Sequence, residues 1–161
     1  MNKIFIETGS FNKYIPLSQI KNGKYKISWE LEEINSGMYK WKYTIVDSKP
    51  SLSFVKTLIE DSINNDIKNV IVNGFYWNDM HIYLTVEHQL DYKLLYDSTM
   101  ILDGTNLPEN ARFEVNGKPI IYKFKSIDDL QDFILCMNEH IRKCINAGYE
   151  RKEKIIYSDY E

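Results

Sequence analysis

Apolar and polar residues alternate along two stretches near the start of the chain. In Lys24–Leu31, Tyr25, Ile27, Trp29 and Leu31 share one side of an extended strand, and Lys24, Lys26, Ser28 and Glu30 the other. A period of two marks a half-buried strand. Met38–Val46 repeats the pattern, with Tyr39, Trp41, Tyr43 and Ile45 opposite Lys40, Lys42 and Thr44. The break at Asn35-Ser36-Gly37 predicts that the two strands form an antiparallel hairpin. Lys3–Thr8 adds a short apolar strand, and Asn22-Gly23 supplies a turn ahead of Tyr25. From Leu52 the period becomes helical: Leu52, Val55, Leu58, Ile59, Ser62 and Ile63 recur at three- and four-residue steps, and Asn64-Asn65-Asp66 closes the helix. Val70–Phe75 is apolar and β-branched and reads as a strand, returning through Asn78-Asp79 to His81–Leu84. Thr85 is placed to cap a second helix that runs through Leu90, Leu94 and Leu95 towards Ile101. Asn116-Gly117 joins Arg112–Val115 to Pro119–Phe124 as a hairpin. Ser126 and Asp129 open a third helix with Leu130, Phe133, Ile134, Met137, Ile141 and Ile145 on one stripe and Gly148 as its expected stop.

Hairpins alternating with helices predict an α+β fold, with antiparallel hairpins or sheet packed against three main helices. The connections within the hairpins are too short for parallel crossovers. The expected organisation is an N-terminal β arm or hairpin over residues 1–36 and an α+β domain over 37–161.

The chain has 161 residues, is 43% hydrophobic, and carries a formal net charge of −3. That much apolar content fills a core and excludes a disordered chain. The acidic balance argues against a general binder of the phosphate backbone. There is no apolar run long enough for a membrane span. Glu7 ends the first apolar run at once, so no secretory leader is expected and synthesis in a cytoplasm is.

Chemistry-bearing motifs are sparse. Glycine-rich phosphate loops, nucleophile elbows, His-Glu-x-x-His and Cys-x-x-Cys are all missing from the sequence. The one metal-like constellation is Cys136, His140 and Cys144, four residues apart on one helix flank. Its ends are separated by a helical rise of about 12 Å, whereas zinc gathers its ligands into one tetrahedron. Two free thiols that pack as small apolar groups are the favoured reading, with Cys144 at the edge of the apolar stripe and Cys136 further out. Glu87, His88 and Asp91 read as a solvated first helical turn. Lys21, Lys24, Lys26, Lys40 and Lys42 interleave with aromatic residues, but alternation puts lysines and rings on opposite faces, which does not make a stacking platform for nucleic acid. No cofactor is expected, and an enzyme is not.

The stretch Gly74-Phe75-Tyr76-Trp77-Asn78-Asp79, the run Tyr83-Leu84-Thr85-Val86-Glu87-His88-Gln89-Leu90-Asp91-Tyr92-Lys93, then Tyr96-Asp97, Leu107-Pro108, Tyr122-Lys123-Phe124 and Ala147-Gly148-Tyr149 follow one another in a familiar order. Together with Lys49-Pro50-Ser51 they resemble domain-of-unknown-function family 4376 of bacteriophages and prophages, often from Bacteroides-type gut hosts, over roughly residues 39–156. Thr85, His88 and Tyr149 depart from the Ser, Asn and Trp common there. The resemblance implies a virion structural protein of tail, connector or head, made in the bacterial host cytoplasm and acting through contacts with other phage structural proteins or as a homo-oligomer. The alternative it allows is a tail-fibre assembly chaperone that leaves before the particle is complete. Aromatic anchors suit such contacts, and Tyr25, Trp29, Tyr39, Trp41 and Tyr43 are the expected interface residues, with Trp29 and Trp41 as anchors; from the residues alone, either strand serves equally well as core.

Overall fold

The computed structural model describes residues 3–161. These form eight strands and three α-helices: β1 (Phe5–Gly9), β2 (Leu17–Gln19), β3 (Tyr25–Asn35), β4 (Met38–Val46), α1 (Leu52–Asn73), β5 (Phe75–Trp77), β6 (Met80–Ile82), α2 (Val86–Ile101), β7 (Glu109–Val115), β8 (Lys118–Phe124) and α3 (Ile127–Glu153). The strands make two antiparallel sheets, ordered β1-β4-β3-β2 and β5-β6-β7-β8. The fold is α+β, as the alternation of hairpins and helices predicts.

The chain divides into two compact units, Met1–Asn64 with Tyr149–Glu161, and Asn65–Gly148. The expected boundary at 36/37 is corrected by this division: it falls in the tight turn between β3 and β4, and β1 pairs directly with β4. Residues before 37 supply three of the four strands of one sheet, so they build the first unit and do not form an arm beside it.

In the first unit, partners directly opposite in an antiparallel pair point to the same face. Ile27 faces Thr44 and Trp29 faces Lys42, while Ser28 faces Tyr43 and Lys26 faces Ile45. The odd positions of β3 therefore share a face with the even positions of β4. Glu7 opposite Trp41 and Phe5 opposite Tyr43 extend the second of these faces into β1. Val55, Ile59, Ser62 and Ile63 are the buried positions of α1, at the helical spacing the sequence shows.

The second unit is built around rings. Trp77 meets Phe113, Tyr122, Phe124 and Phe133 at centroid distances of 5.1–6.1 Å, and its indole Nε1 donates to Asp132 at 2.8 Å. Leu84, Tyr92, Leu130 and Met137 complete this core. The turns form where the sequence places them: Asn78 and Asp79, and Asn116 and Gly117, all take positive φ. Thr85 Oγ1 accepts from the His88 backbone N–H, and Ser126 Oγ from that of Asp129.

Two helices outrun their expected ends. α1 does not close at Asn64-Asn65-Asp66 but continues to Asn73, so Val70–Asn73 is helix and only Phe75–Trp77 is strand. Three polar residues in a row lower helix propensity without breaking the helix. The true stop is Gly74, at φ +83°, where a Cβ would lie 1.7 Å from the Ile82 carbonyl oxygen. α3 likewise passes through Gly148, which is buried inside the helix, and ends at Glu153.

Candidate functional site

The most distorted point of the first sheet is Glu30. Trp29 pairs with Lys42 and Glu32 with Lys40, so two residues of β3 oppose the single Trp41 and form a β-bulge. Glu30 takes φ +58° there, the left-handed region that a side chain normally avoids. Its carboxylate receives Arg151 Nε at 2.5 Å and Nη2 at 3.0 Å, and Lys42 Nζ lies 3.0 Å away. Burial works to raise the pKa of this carboxyl, but the hydrogen bonds and charges of Arg151 and Lys42 outweigh it and hold the group below the ordinary carboxylate range. Glu30 borders an open cleft of about 820 Å³, with Tyr14, Trp41 and Tyr160 also on its walls. A carboxylate gripped by one guanidinium and one ammonium is poorly placed to take or give a proton near neutrality. It fixes the last turn of α3 to the sheet.

The five aromatic residues expected to form one interface do not form one patch. Trp29 and Trp41 are buried, Tyr25, Tyr39 and Tyr43 half-buried, and the register puts Tyr25 and Trp29 on the face opposite Tyr39, Trp41 and Tyr43. The two tryptophans are core. The expected separation of lysines from rings also fails, because alternation within each strand does not fix the alignment between strands. Lys26 Nζ lies 4.4 Å from the centre of the Tyr43 ring. These lysines are engaged by carboxylates: Lys24 with Asp47, Lys26 with Glu7, Lys40 with Glu32 and Lys42 with Glu30.

Of the three metal-like residues, two meet. Cys144 Sγ lies 3.8 Å from His140 Nε2, while the His140 ring stacks on Phe75 at 5.8 Å. Cys136 packs against the core of the second unit, so it does not lie further out as expected, and both thiols are half-buried. Burial pushes both thiols up in pKa, away from the thiolate that binds metal. Among the described residues no group of three or more His, Cys, Asp or Glu is arranged to hold a metal ion. His88 stacks on Tyr92 at 5.9 Å, and Asp91 points away as an exposed residue.

The feature that the sequence hides is the outer face of α2. Tyr92 and Thr99 are its buried positions, and the Tyr92 hydroxyl donates to the Arg112 carbonyl at 2.8 Å. Turning that face inward leaves Val86, Leu90, Leu94 and Ile101 outside, 70%, 56%, 57% and 82% exposed. At about 100° per residue the four fall within an arc of about 80°. One ion pair interrupts them, Lys93 Nζ to Asp97 Oδ2 at 2.6 Å. Singly exposed aliphatic residues are ordinary on a protein surface, but a contiguous stripe marks a contact.

Comparison with family models, with curated proteins and with solved structures returns no match to this chain. Among the described residues no helix is long and apolar enough to cross a membrane.

Proposed function

We propose that the protein is a structural component of a bacteriophage particle, in tail, connector or head, and that it works by binding other phage structural proteins and further copies of itself, without turnover. The observation that carries the association reading is the exposed stripe Val86, Leu90, Leu94 and Ile101 on α2. Apolar area left in water on a rigid helix is gained back as free energy on contact, at roughly 25 cal/mol per Å² before the costs of association. Lys24 and the lysines of β3 and β4 are held by carboxylates, which favours a protein partner over a nucleic acid. The assignment to a phage rests on the ordered motifs between Lys49 and Tyr149 that resemble the phage family.

Mass spectrometry of purified particles tests the reading. A virion component is recovered in fixed stoichiometry to the other structural proteins. Its absence from particles, with assembly failing when the gene is deleted, overturns particle membership and supports the assembly chaperone in its place.

A further inference from the structure

We infer that the exposed face of α2 is where two copies of this chain meet, as an antiparallel helix pair about a two-fold axis. The inference rests on the association reading above and names its surface and partner. The occupant is specified by charge. Asp97 lies at about 20° from Val86 around the helix, just inside the near edge of the apolar arc, and Lys93 at about −20°, just outside it, so one acid and one base, four residues apart, sit at the same edge of the stripe.

A two-fold axis that reverses the helix direction keeps each flank on its own side. Centred between positions 93 and 97, it sets Lys93 of one copy opposite Asp97 of the other, and the reverse. Two charge pairs then close into a ring of four alternating charges at one edge of the stripe. The same register brings Leu94 beside Leu94 of the second copy and Leu90 to within one residue of the level of the second copy's Ile101, all of them exposed. The surface is thus complementary to itself, the requirement for an isologous contact. A partner of uniform charge meets one like charge on this flank whichever way it approaches.

The stripe supplies attraction and the charge pairs supply register, since an exposed ion pair adds little affinity of its own. Four to six aliphatic side chains cover only part of the roughly 800 Å² per partner of a standard interface. The pair is therefore weak in dilute solution and strengthened where copies are held close together.

Sedimentation velocity of the full chain over a wide concentration range, with circular dichroism to show that each variant is folded, tests this. Wild type is expected to self-associate into dimers. Leu94→Asp is expected to abolish the dimer, and Lys93→Glu and Asp97→Lys each to weaken it about tenfold. Mixed together, the Lys93→Glu and Asp97→Lys chains are expected to form a heterodimer tighter than either homodimer, which a general change in solubility does not produce. A wild-type chain monomeric at every concentration, a dimer indifferent to Leu94→Asp, or charge variants with no preference for each other would each overturn the inference. A monomer found stoichiometrically in particles overturns the helix pair and leaves particle membership standing. Particles without the protein, with the α2 dimer intact, do the opposite.

Discussion

Trp29 and Trp41 sit in adjacent strands and on opposite faces of the same sheet, because Trp29 lies across from Lys42 rather than Trp41. Both are buried, so the sheet is covered on both sides at this point. Trp41 donates its Nε1–H to Glu7 at 3.1 Å and meets the Tyr14 ring at 5.9 Å. Trp29→Ala and Trp41→Ala should therefore each destabilise the first unit by about 3–5 kcal/mol, read in urea melts, and the wild-type indoles there should resist collisional quenching. An interface role for these residues predicts unchanged melting and altered assembly only.

The left-handed backbone of Glu30 reverses the usual order of two substitutions. Glycine in a strand interior normally costs stability relative to alanine. At φ +58° alanine carries a steric cost of about 1–2 kcal/mol that glycine avoids. Glu30→Ala and Glu30→Gly lose the same carboxylate, so their difference isolates the backbone, and Glu30→Gly should be the more stable by about 1 kcal/mol. Equal melting points for the two would show that the bulge relaxes.

The Glu30 carboxylate also sets an acid limit. Its folded pKa lies below its unfolded one, so its contribution is fully present above the unfolded value of about 4.3 and is lost as pH falls through the folded value. Glu30→Gln should be less stable than wild type at neutral pH by about 1–3 kcal/mol, since Arg151 and Lys42 lose a charged partner. The gap should close as the pH drops below about 4. A gap that stays constant from neutral to strongly acidic pH would remove the ion-pair account.

Caps and tight turns in the sequence survive in the structure, whereas two expected helix stops, Asn64-Asn65-Asp66 and Gly148, and the alignments that need a distant partner do not. Thr85, Ser126, Asn78-Asp79 and Asn116-Gly117 act through neighbours a few residues away, and each does what its chemistry dictates. Met38–Val46 has the bounds that its alternation gives. The alignment of β3 with β4 is different in kind. Alternation says which residues of one strand share a side, but not which side of the next strand they join, and a slip of one residue inverts the answer. The stripe on α2 was hidden for a related reason. Leu90 and Leu94 look like core by hydrophobicity, yet Tyr92 occupies the interior because its ring meets Phe113 and Phe133 and its hydroxyl finds the Arg112 carbonyl. The overrun of α1 came from β-branched residues, Val70 to Val72, held in helix until Gly74 allowed the turn.

Gly74 makes that turn a sensitive point. Gly74→Ala adds a Cβ that would sit 1.7 Å from the Ile82 carbonyl oxygen, with backbone and not a flexible side chain as the obstacle. The positive φ alone costs about 1–2 kcal/mol, and the clash displaces β6 from its pairing with β5 besides. Thermal melting should show a loss larger than the conformational cost by itself. A loss within that range would mean that the strand moves aside freely.

Tyr14 and Tyr160 converge on one acceptor. Both hydroxyls donate to the Ser28 carbonyl oxygen, at 3.3 Å and 2.7 Å, and burial raises the pKa of both phenols, so both remain protonated donors through the physiological range. Residues 132 positions apart in sequence are tied at this oxygen, one position before Trp29 and two before the bulge. Tyr160→Phe leaves the carbonyl with only the longer bond and should cost about 1 kcal/mol, and Tyr14→Phe less. The double variant leaves the oxygen with neither hydroxyl, so its cost should exceed the sum of the single ones by about 0.5 kcal/mol or more. A double-mutant cycle in urea measures the difference directly, and strict additivity would mean that each hydroxyl acts independently of the other.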